Sequence, residues 1–72
     1  MVTFEEYRNE ILSEMKNKPN NWRKGQFVFN YIDAFYGVAR CAQFEHHVDC
    51  FYNDDAIDEF IVTTYNILKN IE

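Results

Sequence analysis

WRKGQFVFNYIDAFY, residues 22–36, is the stretch that decides the fold. From residue 26 onward its side chains are apolar or aromatic except for Gln26, Asn30 and Asp33. Those three residues are spaced i, i+4 and i+7, so on a helix they form one narrow polar stripe. A helix that is apolar nearly all round is a buried helix. We therefore expect this segment to be the central helix, with the other elements packed around it.

A first helix precedes the central one. Thr3 is a favourable N-cap, and Glu6 follows at the spacing of a capping box. Residues 17–21, NKPNN, should end this helix, because proline disfavours a helical conformation in the residue before it. Its apolar face is predicted to contain Phe4, Tyr7, Ile11, Leu12 and Met15. Its polar face is predicted to contain Glu5, Arg8, Asn9, Glu10 and Ser13.

Caps and charges predict the bounds of the other long helices. The central helix should begin near Asn21 or Trp22 and end at Gly37, a residue type suited to the position after a helix. The last helix should begin at Asn53 or Asp54, because acidic side chains in a first turn interact favourably with the helix dipole. The buried stripe of the last helix is predicted to be Ile57, Phe60, Ile61, Thr64 and Leu68.

Residues 38–52 fit two interpretations. In one, residues 38–44 form a short helix followed by a loop; in the other, they form a strand paired with residues 48–52. We favour the helix, because the intervening Glu-His-His is not a tight hairpin turn and an isolated hairpin is marginally stable. The prediction is an all-α bundle of three main helices plus a short fourth, in one domain over residues 1–72. The alternative is an α+β fold with a short hairpin at 38–52.

The charge balance narrows the range of partners. A net charge of −5 opposes attraction to nucleic acid or anionic lipid, and no apolar run approaches the ~20 residues of a membrane span. The acidic N-terminal residues do not resemble a secretory signal, so we expect a cytoplasmic protein. Four bases lie within residues 16–24 and six acids within residues 45–59. We expect these blocks to face each other; the alternative is a basic patch for a phosphate or an acidic partner.

Two separate blocks of the chain carry a family resemblance. They contain Arg23, Gly25, Gln26, Phe29 and Asn30, and then Asp49, Phe51, Tyr52, Asp54, Ile57 and Phe60. In this order and spacing they resemble an uncharacterised family of short phage and bacterial proteins, including proteins of Bacteroides-type genomes. Its members have an Arg-x-Gly-Gln-x-x-Phe-Asn helix, then an Asp-Pro-Phe-Tyr-x-Asp-like turn before a final helix; Cys50 replaces the common proline. The resemblance implies a small, mainly helical fold and a phage or bacterial source, and it supplies no activity that could be carried over to this chain.

Gln26 and Asn30 are the most suggestive polar pair. Two amides one helical turn apart, among aromatics, can hold a peptide backbone, a base edge or a polar ligand. We favour a structural role, in which they hydrogen-bond the turn at residues 49–54, because buried polar groups need partners.

Catalysis and metal binding are disfavoured by the residue types and their spacing. His46, His47 and Cys50 are potential ligands, but they lack the fixed pair spacing of a zinc site. Cys41 and Cys50 should be free thiols in a reducing cytoplasm. We predict no catalytic residue, no metal and no cofactor, and therefore a protein that is not an enzyme.

The aromatic content indicates a binding surface. Seven Phe, five Tyr and one Trp exceed what the centre of so small a domain easily holds, and surface aromatics are typical of protein interfaces. The residues from which such a surface would be drawn are Trp22, Tyr36, Phe44, Phe51 and Tyr52. We predict a non-enzymatic protein-binding module that binds a protein partner or forms a homo-oligomer. A narrower form of this prediction is a phage-encoded modulator of a host protein. The alternative is a nucleic-acid-associated protein that uses a basic-aromatic patch at Trp22–Lys24. The candidate binding residues are Trp22, Arg23, Lys24, Gln26, Asn30 and Tyr52.

Overall fold

Four α-helices form in the order that the sequence predicts. In the computed structural model, which describes residues 2–71, they are α1 (Phe4–Glu14), α2 (Lys24–Tyr36), α3 (Ala39–Glu45) and α4 (Ile57–Ile71). Short 3₁₀ turns at Met15–Asn17 and Asp54–Ala56 follow α1 and lead into α4. No strand occurs within residues 2–71, so the all-α bundle with a short fourth helix is confirmed, and the hairpin alternative at 38–52 is wrong. None of the helices in this range is long and apolar enough to cross a lipid bilayer.

α1 begins as its capping signal predicts. The Thr3 hydroxyl accepts a hydrogen bond from the Glu6 N–H at 3.2 Å, and the Glu6 carboxylate accepts one from the Thr3 N–H at 3.0 Å. These bonds satisfy N–H groups that have no partner within the helix, and they lower the pKa of Glu6. Behind the cap, Tyr7 and Ile11 are fully buried, which confirms the predicted apolar face.

α2 begins at Lys24, later than predicted. The delay is caused by a turn in which the Trp22 N–H donates to the carbonyl oxygen of Pro19 at 3.1 Å, after which Arg23 is extended and serves as the N-cap. The predicted end is confirmed. Gly37 has φ = 70°, a left-handed conformation that glycine adopts easily, and its N–H closes the last turn with a hydrogen bond of 3.0 Å.

α2 is the central helix, but it is not buried on every side. It contacts all three other helices and both 3₁₀ turns. Its buried face consists of Gly25, Val28, Phe29 and Ile32. Phe35, by contrast, is 70% exposed, and Phe27 and Tyr31 are only partly covered. The prediction of a helix buried nearly all round is therefore wrong, because a bundle of four helices in so short a chain cannot surround one of them.

The core lies where α2 meets the other three helices and the loop that follows α3. Its fully buried apolar members are Tyr7, Ile11, Val28, Ile32, Ala39, Ala42, Cys50, Phe60 and Ile61. The core also contains polar contacts: the Tyr7 hydroxyl, for example, lies 2.7 Å from that of Thr64, a buried residue of the stripe predicted for the last helix. Within residues 2–71, every buried side-chain nitrogen or oxygen has a hydrogen-bond partner, so no buried polar side chain is left unpaired there.

Glu10 does not behave as a residue of the polar face of α1. Its carboxylate accepts hydrogen bonds from the Tyr31 hydroxyl at 2.6 Å and from the Tyr36 hydroxyl at 2.8 Å. Burial, together with these bonds to a carboxylate, raises the pKa of both tyrosines, that of Tyr36 to about 12. Long tyrosine side chains of α2 reach a position that the periodicity of α1 assigns to solvent. Glu10 therefore links α1 to α2.

Candidate functional site

The loop between α3 and α4 is fastened to the start of α2. The Arg23 guanidinium donates from Nη2 to the Phe51 carbonyl oxygen at 3.1 Å, and the Gly25 N–H donates to Oδ1 of Asp54 at 2.9 Å. In the other direction, the Cys50 thiol donates to the Gly25 carbonyl oxygen at 3.3 Å. Three hydrogen bonds thus join two sequence blocks that are far apart in the chain. We call this set of contacts the brace.

The amides of Gln26 and Asn30 do not form the brace, contrary to expectation. The Gln26 side chain accepts a hydrogen bond from the Arg23 N–H at 3.4 Å and so caps its own helix. Within residues 2–71, no hydrogen bond joins either amide to the loop. The late start of α2 explains this, because it places Gln26 in the first turn, where N–H groups without helical partners compete for its oxygen.

The two charge blocks meet at the brace without forming ion pairs. Arg23, from the basic block, bonds a backbone carbonyl oxygen of the acidic block. The ion pairs present in residues 2–71 are Arg8–Asp58 at 3.6 Å and Arg40–Asp33 at 3.9 Å, and neither joins one block to the other. The expected contact between the blocks is therefore made through the backbone.

Gly25 is required because the loop backbone comes very close to it. A Cβ atom at this position would overlap the Cys50 carbonyl oxygen and would lie 3.0 Å from Oδ1 of Asp54. Cys50 itself is fully buried, and burial raises the pKa of its thiol to about 12. At neutral pH the thiol is thus a neutral hydrogen-bond donor within the core, whereas a nucleophilic cysteine needs an accessible thiolate.

Beside the brace, α3 and the loop enclose a small cleft of about 200 Å³, which we call the α3–loop cleft. It is lined by Phe29, Arg40, Gln43, Phe44, Phe51 and Tyr52. Phe29 is only 7% exposed and forms the base, whereas Phe44 and Tyr52 are 69% and 76% exposed. The cleft thus combines a buried aromatic base with exposed aromatic edges.

Aromatic contacts hold the loop side of the cleft in place. The Phe51 ring packs edge-on against Phe29, with 5.5 Å between centroids, and against Tyr52, with 4.8 Å. The guanidinium carbon of Arg23 lies 5.3 Å from the centroid of the Tyr52 ring, in a cation–π contact. Since Arg23 also bonds the Phe51 carbonyl oxygen, one side chain positions both aromatic residues of the loop.

Two polar side chains of the cleft, Arg40 and Gln43, come from α3. Gln43 donates from Nε2 to Oδ2 of Asp49 at 3.0 Å, while Oδ1 of Asp49 accepts from the Phe51 N–H at 2.8 Å. Both carboxylate oxygens of Asp49 are therefore engaged. Arg40 lies 3.9 Å from Asp33, which is too far for a hydrogen bond, and its side chain is 75% exposed. Arg40 consequently presents a guanidinium to the cleft and to solvent.

The predicted binding residues do not form one site. Tyr52 lines the cleft, and Arg23 lies over its ring. Trp22 is half-buried in the turn before α2 and Lys24 is exposed on its first turn, and neither lines the cleft. The two amides on α2, at positions 26 and 30, are partly covered and also lie outside it.

Sequence reasoning misses Arg40 and Gln43. Both lie in the segment for which helix and hairpin compete, and only the helix places them on one face with Phe44, through spacings of three and four residues. The aromatic count indicates Phe44 and Phe51 as surplus aromatics, but nothing in the pattern places them in one cleft with Phe29.

A second depression of about 360 Å³ lies between the end of α3 and the last turns of α4. It is lined by His46, Thr63, Asn66, Ile67, Asn70 and Ile71. Its walls offer neutral hydrogen-bonding groups, and His46 is the one titratable side chain among them. A single imidazole without a carboxylate or nucleophile beside it is a poor basis for acid–base chemistry.

The described part of the chain holds no cluster of metal-ligand side chains. Among residues 2–71, no three His, Cys, Asp or Glu residues are placed to hold a metal ion. Cys41 and Cys50 are both free thiols, and Cys41 donates to the Glu45 carboxylate at 2.8 Å. The hydrogen bond to that carboxylate raises the pKa of Cys41. Each thiol thus donates a hydrogen bond to a neighbouring acceptor.

Comparison with known proteins finds no relative from which a function could be carried over. No protein-family model matches the chain, and neither a curated protein nor a solved structure matches it significantly.

Proposed function

We propose that the chain is a non-enzymatic protein-binding module that contacts its partner through the α3–loop cleft. The observation that carries the proposal is the exposure of Phe44 on α3 and Tyr52 in the loop, 69% and 76%, both of which line the aromatic cleft. Aromatic side chains are enriched at protein interfaces, where an anchor residue of one partner fills a pocket of the other. A small bundle that leaves two such residues at the edges of a cleft has the anatomy of a binding surface.

The outer face of α2 is the competing aromatic surface, and it is less suited to be the main contact. Phe27, Tyr31 and Phe35 stack on one another along the helix, with 6.0 Å and 4.7 Å between successive centroids. Tyr31 is moreover tied to Glu10. These rings already cover part of each other's surface, whereas the cleft offers an unfilled space.

The lining of the cleft supports binding over catalysis. Its polar side chains are Arg40, Gln43 and Tyr52, and it contains no thiol, imidazole or carboxylate. General acid–base or covalent catalysis needs a nucleophile or base beside a group that activates it. The available groups are those of recognition: hydrogen-bond donors, an amide and aromatic faces.

The narrower forms of the proposal concern the partner and its location. The partner is either a different protein or a second copy of the chain. The small size, acidic charge and surplus aromatics of the chain motivate the narrower form, a phage-encoded modulator of a host protein that acts in the cytoplasm.

A capture experiment with matched variants tests the proposal. The immobilised chain is compared with Phe44→Ser/Tyr52→Ser and with the control Phe35→Ser, which removes an equally exposed aromatic residue from α2. All three should remain folded by circular dichroism, because substitutions of exposed residues usually change stability by about 0.5 kcal/mol or less. Proteins from bacterial lysate that are retained by the wild type and by Phe35→Ser, but lost with the double variant, are the expected result. Equal retention by all three would contradict the proposal.

The nucleic-acid alternative keeps one structural argument in its favour. Arg23 and Tyr52 form a guanidinium–aromatic pair at the surface, a combination on which bases can stack. Quenching of Trp22 fluorescence by a single-stranded oligonucleotide, weakened by added salt, would support it. No fluorescence change at low salt would remove it.

A further inference from the structure

We infer that the α3–loop cleft takes a peptide segment of a partner protein in which one apolar side chain lies next to a single carboxylate. This inference rests on the proposed function and adds the chemistry of the ligand. Three features of the cleft carry it: its volume, the free hydrogen-bonding groups of Arg40 and Gln43, and the acidic groups nearby.

The volume selects the size of the occupant. Sites for cofactors and drug-sized molecules enclose about 300–1,000 Å³. The cleft encloses about 200 Å³, which suits one apolar or aromatic side chain. The cleft is shallow and open, so an inserted ring or branched aliphatic chain would pack on buried Phe29 and beside exposed Phe44 and Tyr52.

Arg40 supplies the charge recognition. A guanidinium has five N–H donors, and within residues 2–71 Arg40 makes no hydrogen bond with them. The neighbouring Asp33 approaches Nε only to 3.9 Å, so the terminal nitrogens are left for a ligand. A carboxylate, like a phosphate, can be bound by two parallel guanidinium N–H donors, and the acids near the cleft decide between the two.

Gln43 supplies the complementary acceptor. Its Nε2 is bound to Asp49, and this leaves its carbonyl oxygen as an acceptor at the cleft. A peptide N–H is the matching donor. In this arrangement the apolar side chain of the peptide contacts the aromatic walls, the adjacent carboxylate binds Arg40, and a backbone N–H donates to Gln43.

The acids near the cleft favour a single carboxylate over a polyanion. Two acids, Asp33 beside Arg40 and Asp49 bound to Gln43, offset the two guanidinium groups at the cleft, those of Arg40 and of Arg23 over the Tyr52 ring. The whole chain also has a net charge of −5. One carboxylate that binds the guanidinium directly can be accommodated, whereas a string of phosphates would be repelled.

Selection from a display library of short random peptides tests the inference. The full chain serves as bait, and binders that the variant Phe44→Ser/Tyr52→Ser also retains are subtracted. We expect the enriched peptides to contain Asp or Glu directly beside an aromatic or aliphatic residue. The Arg40→Gln variant and the acid-to-amide analogue of the best peptide each remove the hydrogen bond between the two charged groups. Each change should weaken binding of the peptide about tenfold.

Two further measurements separate recognition by Arg40 from a general structural effect. Combining Arg40→Gln with the amide analogue should cost little more than either change alone, because both remove the same contact. Asp33→Asn frees Arg40 of its neighbouring acid and should strengthen binding of the acidic peptide, which an unfolded or distorted variant would not do.

The failures of the two proposals are distinguishable. Equal binding of the acid and amide peptides, combined with loss in Phe44→Ser/Tyr52→Ser, would overturn the inference and leave a protein-binding cleft of other specificity. No peptide enriched over the double variant would overturn both. A dimer that is detected by light scattering and abolished by Arg40→Gln would assign the cleft to a second copy of the chain. Tight binding of an oligonucleotide that depends on Arg40 would assign the cleft to nucleic acid. Either result overturns the inference.

Discussion

Gly25 and Cys50 lie against each other so closely that the Cys50 carbonyl oxygen occupies the space that a Cβ on Gly25 would need. The two residues are also joined by a hydrogen bond from the Cys50 thiol to the Gly25 carbonyl oxygen. Between them they set the distance between α2 and the loop, and several consequences can be measured.

Gly25→Ala should destabilise the protein by about 1–3 kcal/mol, because the added methyl group must displace the loop backbone. The sign is informative, since alanine in place of a helical glycine ordinarily stabilises a helix by up to about 1 kcal/mol. Urea unfolding followed by circular dichroism gives the free energy of unfolding. Lys24→Ala, on the exposed side of the same turn, is the control and should be nearly neutral. A stabilised Gly25→Ala variant would contradict the contact.

Asp54→Ala should lower stability more than Asp55→Ala. Both substitutions remove an acid from the 3₁₀ turn before α4, but only Asp54 accepts the Gly25 N–H, at 2.9 Å. The difference between the two free energies of unfolding isolates that hydrogen bond and should be about 1 kcal/mol. Asp54→Asn, which keeps an acceptor oxygen, should recover part of it. Equal effects of the two alanine variants would show that the bond is not formed.

Glu10→Ala should lower the free energy of unfolding, because it removes the hydrogen bonds that link α1 to α2. It leaves the hydroxyls of Tyr31 and Tyr36 without their acceptor, at a cost of about 1 kcal/mol because both side chains are only partly buried. Asn9→Ala, at an exposed position of the same helix, is the control. Thermal unfolding of the two variants provides the comparison, and indistinguishable midpoints would show that Glu10 faces only solvent.

Alkaline pH should unfold the protein as the buried tyrosines ionise. Burial raises the pKa of Tyr7 and of Tyr36 to about 12, above the value near 10 that tyrosine has in an unfolded chain. The unfolded state therefore releases its protons first, so stability is unaffected below about pH 10 and falls as the pH rises to about 12. Tyrosinate absorbance and the helical circular dichroism signal should change together over this interval.

Two tyrosine variants test the origin of that alkaline transition. Tyr36→Phe should make the loss of stability with pH less steep, whereas Tyr52→Phe, which removes an exposed hydroxyl, should leave its steepness unchanged. Full tyrosine ionisation near pH 10 with an intact helical signal would contradict the raised pKa values.

The two thiols should differ sharply in reactivity. Cys41 is partly exposed, whereas Cys50 is fully buried with a pKa raised to about 12 by that burial. A thiol-specific reagent at mildly alkaline pH should label Cys41 in the native protein and Cys50 only as fast as the protein unfolds. Cys41→Ser should remove the fast phase and leave the slow one. Rapid labelling of that variant would mean that the loop opens without global unfolding.

Local signals in the sequence are sufficient for the start of α1 and the end of α2, whereas α4 begins at Ile57, after a 3₁₀ turn, and not at Asn53 or Asp54 as predicted. The Thr3–Glu6 capping box and the glycine at position 37 are formed as predicted, because each is decided within a single helical turn. The start of α2 is predicted less well, since the turn at residues 19–22 competes with the helix for the same backbone groups.

Long-range contacts determine which side chains of a helix are buried where the sequence pattern alone does not. Phe29 and Phe35 belong to the same helix and have the same side chain, yet one is 7% and the other 70% exposed. The difference depends on where α3 and the loop pack, which the periodicity of α2 does not contain. In the same way, Gly25 looks like a residue that weakens a helix until the carbonyl of a loop twenty-five residues away is placed against it.

The brace also determines when the cleft loses its conformational entropy. Phe51 and Tyr52 are fixed through Arg23 as the chain folds, so their freedom is given up then and not on contact with a ligand. A ligand that enters the cleft meets walls already in place, and it is spared about 0.5–1.5 kcal/mol for each side chain that would otherwise have to be ordered. The residue that caps the first turn of α2 therefore also preorganises the loop side of the cleft.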